Sequence, residues 1–274
     1  MDKTVFISVL TRNHGKFLPH YFRSLEEMDY DKKNIVIYIN TNNNDDDTMG
    51  FLTSWIGQNY FKYRNIIFEK GIDDPKITKD LYWDHDDNRR LKKMASIRNR
   101  SLDICRLEKT DYYFVMDTDN WVAPITLKYL IQKEKPIIAP FIKLHNEGSM
   151  YSNYFNEVTE TGYYKSSPLD MDMWRRESMV GTFKVPLVHC TYLIDTKYIN
   201  DLSYTSSYWG DHHYEFVLFA NNAREKNVDQ YICNEKMFGF VRYDNIINEP
   251  NCYELLLKKY YLDNKIDILN IDTH

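Results

Sequence analysis

Two carboxylates one residue apart, Asp117 and Asp119, stand directly behind an uninterrupted apolar run, Tyr112-Tyr113-Phe114-Val115-Met116. Carboxylate oxygens are hard ligands, so such a pair can hold a divalent cation against a diphosphate. The same residues also read as a plain acidic turn, because Asp and Asn are ordinary turn formers. A second pair of acids, Asp211 and Glu215, is four residues apart on a helical pattern and therefore shares one face. A carboxylate there can deprotonate a hydroxyl as general base, or do no more than stabilise the start of its helix through the dipole. A helix expected over residues 89–107 directs Leu91, Met94, Ile97, Leu102 and Cys105 inward and Arg89, Arg90, Lys92, Lys93, Arg98 and Arg100 largely outward. A solvated cationic face is the plain reading; the sharper one has Arg98 grip a diphosphate with its bidentate fork. The adjacent His212 and His213 read as surface residues rather than metal ligands.

These groups need elements to carry them. Five apolar residues in a row suit a strand buried on both faces of a parallel sheet, and ligands collect beyond the C-terminal ends of such strands. Residues 4–10, 34–39, 65–69 and 136–140 read as further strands. Phe17, Leu18, Tyr21, Phe22, Leu25 and Met28 recur at helical spacing, as do Phe51, Leu52, Trp55 and Ile56 behind the polar turn 42–47. Pro124 opens a short helix over 125–131. Strands alternating with helices predict an α/β fold with a mostly parallel central sheet. Beyond residue 145 come short aromatic runs, 151–155 and 162–165, then the apolar run 183–194. They suit a mixed, partly antiparallel add-on that builds an acceptor cleft. Residues 1–274 are thus expected to form one domain, with a nucleotide-sugar-binding half over 1–145 and an acceptor-binding half over 146–274.

Composition narrows the partners. The formal charge of −5 gives no electrostatic case for nucleic acid. Cys105, Cys190, Cys233 and Cys252 are scattered without a C-x-x-C, so neither a zinc site nor a redox pair is visible. No leader and no membrane-length apolar run is seen, so the expectation is a soluble, cytoplasmic protein, in a host's cytoplasm if the source is a virus. A homo-oligomer is left open. Thr11-Arg12-Asn13-His14-Gly15 is not a glycine-rich phosphate loop, which speaks against a nucleotidyltransferase.

In order and in wording, these segments resemble the N-terminal glycosyltransferase domain of the procollagen galactosyltransferases, which modify hydroxylysine in collagen. The resemblance runs over most of the chain. It rests on Thr11-Arg12-Asn13, on Tyr38-Ile39-Asn40-Thr41 with its Asp/Asn turn, on Tyr82-Trp83-Asp84 and on Arg98 in its helix. It continues through Tyr113 to Asn120, Ile138-Ala139-Pro140, Tyr151-Ser152-Asn153-Tyr154, Gly162-Tyr163-Tyr164-Lys165, the run from Val185 to Asp195, Tyr231-Ile232-Cys233-Asn234 and Phe238-Gly239-Phe240.

What the resemblance implies is a GT-A (Rossmann-like) fold, a UDP-sugar co-substrate, manganese and inversion at the anomeric carbon. UDP would lie across the C-terminal ends of the first, second and fourth strands. Thr11, Asn42 and Trp83 would hold uridine and Arg98 would meet the phosphates. Asp117 would touch ribose, or the metal through water, while Asp119 would bind the metal directly. Where a third metal ligand is expected as histidine, this chain carries Asn248. Glu215, one carbon longer than the aspartate expected in its helix, is the candidate base, with Asp211 as the fallback. Tyr151, Asn153, Tyr154 and His189 are the candidates for sugar or acceptor contacts, because aromatic faces with a few fixed polar groups suit such ligands. The implied reaction moves galactose from UDP-galactose to hydroxylysine of collagen or a collagen-like protein. One alternative is a glucosyltransferase using UDP-glucose on hydroxylysine or galactosyl-hydroxylysine. The other is a non-catalytic sugar-binding relative.

Overall fold

The computed structural model of the chain describes residues 3–73, 89–145, 150–205 and 214–266. Four strands form the part of the sheet that carries the acids: β1 (Val5–Thr11), β2 (Ile35–Thr41), β3 (Asn65–Lys70) and β4 (Tyr112–Met116). β1, β2 and β4 are buried nearly end to end, whereas β3 alternates towards solvent as an edge strand does. All neighbouring pairs among them are parallel, with Val5 opposite both Ile35 and Tyr112.

Alternation along these strands divides the core in two. Phe6, Val36, Tyr38, Tyr113 and Val115 face one layer; Val5, Ile7, Ile37, Phe114 and Met116 face the other. Helices α1 (Leu18–Glu26) and α2 (Thr48–Asn59) cover the second face through Tyr21, Phe22, Leu25, Leu52 and Trp55. Helix α3 (Arg89–Glu108) covers the first through Ala95, Leu102 and Cys105. Its expected position holds, but the outward direction expected for Arg98 does not. Arg98 is buried at 7% exposure, because two carboxylates from elsewhere in the chain neutralise it there. Leu91, Met94 and Ile97, expected in the core, instead line the clefts above the sheet.

Among the described residues the sheet has eight strands, in the order Thr182–Val185, Gln230–Cys233, Ile137–Pro140, Thr191–Asp195, β4, β1, β2, β3. Thr191–Asp195 is antiparallel to both of its neighbours, and the edge strand Thr182–Val185 is antiparallel to Gln230–Cys233. The remaining pairs are parallel, so the expected mostly parallel sheet is observed, and its strands come from both halves of the chain. The apolar run 183–194 contributes three strands: Thr182–Val185, Leu187–Val188 and Thr191–Asp195. Pro186 has no N–H for a ladder, and Cys190 turns the chain at φ +62°.

A three-stranded sheet of Asn120–Val122, Gly239–Val241 and Ile142–Leu144 stands beside the acids. Gly239 permits it, since a Cβ there would lie 2.0 Å from the Trp121 carbonyl oxygen. α4 (Thr126–Ile131) follows as expected. α5 (Pro168–Arg175), absent from the sequence reading, is closed by a capping box between Ser167 and Asp170. α6 (Glu215–Glu225) and α7 (Cys252–Asp263) complete the helices used below. Among the described residues no helix is long and apolar enough to cross a membrane.

Candidate active site

β4 ends at Met116 and delivers the acids to the C-terminal edge of the sheet. Four hydrogen bonds pin the turn that follows. The Asp117 N–H donates to the Cys190 carbonyl at 2.9 Å, and the Asn120 N–H closes the turn on the Asp117 carbonyl at 2.9 Å. The Asn120 side chain donates to Thr191 Oγ1 at 2.8 Å, and the Arg242 N–H donates to the Asp119 carbonyl at 2.9 Å.

Arg98 bridges two acids. Its Nη2 donates to Asp117 Oδ1 at 2.9 Å and its Nε to Glu215 Oε1 at 3.2 Å. Burial opposes the Arg98 charge, yet Asp117 and then Glu215 hold the guanidinium pKa well above its ordinary value. Asp119 has no such relief. Burial first, then the neighbouring charge of Asp117, push its carboxyl up to about 7, and Arg242 offsets only part of this. A divalent cation between the two aspartates would remove that penalty, and an all-oxygen donor set suits a hard ion. Among the described residues no group of three His, Cys, Asp or Glu is gathered as a metal site.

Two clefts meet at this triad. The larger, about 480 Å³, runs over the ends of β1 and β2 and is lined by Thr11, His14, Asn40, Asn42, Asp117 and Asp119 among others. The smaller, about 210 Å³, is lined by Tyr151, His189, Cys190, Tyr192, Tyr204 and Tyr214 among others. Arg98, Asp117 and Glu215 belong to both. Glu215 occupies the first position of α6, so its carboxylate sits where the dipole favours negative charge.

The site residues expected from sequence divide accordingly. Thr11, Asn42, Arg98, Asp117 and Asp119 gather at the larger cleft, and Tyr151, His189 and Glu215 at the smaller. Asn153 and Tyr154 sit behind that wall instead. The Asn153 amide donates to the Pro140 and Thr191 carbonyls, at 2.9 and 3.1 Å, and accepts from the Ile142 N–H, while the Tyr154 hydroxyl donates to the Asp170 carbonyl. Asn248 stands exposed on the turn before α7, and no hydrogen bond or ion pair among the described residues joins it to either aspartate. Trp83 and Asp211 lie outside the described residues.

Sequence reasoning missed His14 and Cys190. His14 Nδ1 pairs with Thr118 Oγ1 at 2.6 Å inside the turn between the aspartates, and burial lowers its pKa. Its place in the loop after the first strand was the available signal. Cys190 Sγ lies 2.8 Å from His189 Nδ1. Burial, then Asp117 and Asp119, raise the thiol pKa well above its ordinary value, so the group is an uncharged wall. Burial lowers His189 to about 4, which keeps its imidazole neutral.

A sequence model of the glycosyltransferase family 25 N-terminal domain matches residues 2–248. Procollagen galactosyltransferase 2 of Mus musculus is 29% identical over 247 residues, which is 87% of this chain and 38% of that protein. Inactive glycosyltransferase 25 family member 3 of Mus musculus is 26% identical over 254 residues, covering 90% of this chain and 42% of that protein. The chain thus spans about two fifths of the length of these curated relatives. Among solved structures, GalNAc-T7 with UDP, GalNAc and Mn2+ aligns at a TM-score of 0.58 and 12% identity, over 88% of this chain and 44% of that one.

Proposed function

Because the chain belongs to glycosyltransferase family 25, we propose that it transfers galactose from UDP-galactose to hydroxylysine in collagen-like chains. Its fold is the mostly parallel α/β arrangement of the GT-A glycosyltransferases. The observation that carries the reading is the junction of the clefts: two carboxylates, Asp117 and Glu215, border both a space of nucleotide-sugar size and a smaller aromatic one, and Glu215 stands at the start of a helix.

Asp117 and Asp119 would hold a divalent cation, manganese in this reading. When bound, such an ion supplies Lewis-acid stabilisation of the charge on a leaving diphosphate. The chain's own residues do the rest. Thr11 and Asn42 border the larger cleft and would meet the nucleoside. Arg98 presents a fork that can turn from its carboxylates to a diphosphate, which it recognises in the same bidentate manner. Glu215 takes the proton from the acceptor hydroxyl as that oxygen attacks the anomeric carbon, opposite the departing diphosphate. Tyr151, His189, Tyr192 and Tyr204 give the smaller cleft flat, largely apolar walls and uncharged polar edges, which suit a hexose or an alkyl arm.

Mass spectrometry of a hydroxylysine peptide incubated with the protein, manganese and each UDP-sugar in turn tests this. The expected product gains one hexose from UDP-galactose, and the lysine version of the peptide gains none, since it lacks the nucleophile. Equal labelling of the lysine peptide, or transfer only to free sugars or lipids, defeats the acceptor assignment. Transfer from UDP-glucose alone replaces only the sugar. No transfer together with retained UDP binding supports the non-catalytic reading, for which the inactive relative from Mus musculus is the precedent.

A further inference from the structure

On the floor of the larger cleft two amide atoms are buried without a hydrogen bond: Asn40 Oδ1 and Asn42 Nδ2. Buried polar atoms are normally satisfied, so an unsatisfied acceptor and donor in one cleft point to something that binds there. Both lie close to Gly71: a Cβ built there would be 3.6 Å from each of them and 3.3 Å from Asn42 Cβ, so a side chain at 71 would crowd the pair.

The direction in which the Asn40 amide faces is set from outside the cleft. Arg100 on α3 grips Glu69 on β3 through Nη2 at 2.7 Å and Nε at 3.3 Å. That hydrogen bonding is the largest of the causes holding Glu69 below its ordinary carboxylate range, and an ionised carboxylate can only accept. The Tyr38 hydroxyl therefore donates to Glu69 Oε2, at 2.7 Å, and burial followed by that hydrogen bond keeps the phenol protonated. With its proton committed, the Tyr38 oxygen can only accept from Asn40 Nδ2, at 3.1 Å. Tyr38 and Asn40 are two apart on β2 and so share a face, and Asn40 is in register with Glu69. The chain Arg100–Glu69–Tyr38–Asn40 thus forbids an amide flip and leaves Asn40 Oδ1 as a fixed acceptor.

We infer that this relay makes Asn40 the reader of the nucleobase: its Oδ1 accepts the N3–H of uracil, while Asn42 Nδ2 donates to an adjoining ring carbonyl. The inference rests on the UDP-sugar reading above and adds the residues that select the base. Cytosine in the same position would turn the lone pair of its N3 towards the lone pairs of Asn40 Oδ1, which the relay prevents from rotating away. Tyr38, Glu69 and Arg100 are positioning residues, since they act only through Asn40.

Calorimetric titration in the presence of manganese separates the possibilities, using UDP, CDP and N3-methyl-UDP on the wild type and on Asn40→Leu and Tyr38→Phe. A site built to bond an N–H discriminates strongly against analogues lacking it, so wild type is expected to favour UDP over both CDP and N3-methyl-UDP by about tenfold or more. Asn40→Leu should bring UDP and CDP to within about threefold of each other, chiefly by weakening UDP. Tyr38→Phe should narrow the same ratio while leaving CDP binding unchanged, which a general loss of structure would not do. Equal binding of UDP and N3-methyl-UDP to the wild type overturns the inference and leaves the donor reading intact, as does an undiminished UDP to CDP ratio in Asn40→Leu. Failure of wild type to bind any of the three nucleotides overturns both.

Discussion

Replacing Asp119 by asparagine should stabilise the metal-free protein while removing its response to metal. In the folded chain the Asp119 carboxyl rises from 3.8 to about 7, because of burial and then Asp117. At 1.36 kcal/mol per pKa unit, holding it ionised costs about 4 kcal/mol. The side chain is half-buried, so solvent screening brings the expectation down to about 2 kcal/mol. Since the folded value lies above the unfolded one, the native state binds the proton more tightly. This group's contribution is therefore fully present below about pH 4 and is lost as pH rises through 7. The assay is urea unfolding of the metal-free wild type and Asp119→Asn at pH 5 and pH 8, followed by melting with added manganese. At pH 8 the variant should be the more stable by about 2 kcal/mol, and at pH 5 the gap should be narrower, closing below about pH 4. Manganese should raise the melting temperature of the wild type and leave that of the variant unmoved, because only a bound ion stabilises by mass action. A variant less stable at pH 8, a gap independent of pH, or equal stabilisation by manganese would refute the reasoning.

Glu215→Gln should lower turnover by roughly 10²-fold or more with little change in UDP affinity, and Asp211→Asn should do less; the reverse ranking in steady-state kinetics moves the base one helical turn earlier. Arg98→Met strands two carboxylates that lie 2.9 and 3.2 Å from the guanidinium, so denaturant unfolding should show a loss of about 3 kcal/mol, and an unchanged midpoint would mean the bridge is inert. A triple-helical Gly-X-Y peptide containing hydroxylysine should be labelled far less than the same peptide above its melting temperature, because three wound chains are too thick to enter a cleft of about 210 Å³; equal labelling would place the acceptor site on an open surface.

The part of the fold that carries the larger cleft was largely legible in the sequence because its signals are local. Residues 112–116 are an apolar run that stops at an acid, and the strand observed is Tyr112–Met116. The first three strands and their helices announce themselves in the same way, by period and by polar turns. Arg98 was legible as a candidate but not in its packing. Helical periodicity assigns a cation to the solvent side, and nothing nearby in sequence shows that Glu215, 117 positions away, will neutralise it. Asn153 failed for the opposite reason: its polar atoms are consumed by backbone groups that only the folded chain brings near. α5 was missed although Ser167-Pro168-Leu169-Asp170 spells out a helix start, with a cap, a proline and an acid in place. The run 183–194 was read only as part of an antiparallel add-on; its division into separate strands at Pro186 and Cys190 was not drawn from the sequence.

The reversed strand Thr191–Asp195 has a consequence for how the chain is made. It fills the gap between β4 and Ile137–Pro140, so the centre of the sheet is closed by a segment synthesised some 80 residues after β4. At ribosomal speeds of about 5–20 residues per second, the edge of β4 waits about 4–16 s for its partner. Throughout that interval Tyr112, Phe114 and Met116 are carried by a strand with an unpaired row of backbone groups, the condition under which chains pair wrongly with one another. Residues 1–145 therefore do not complete the centre of the sheet by themselves: Thr191–Asp195 from the later part of the chain seals the edge of β4.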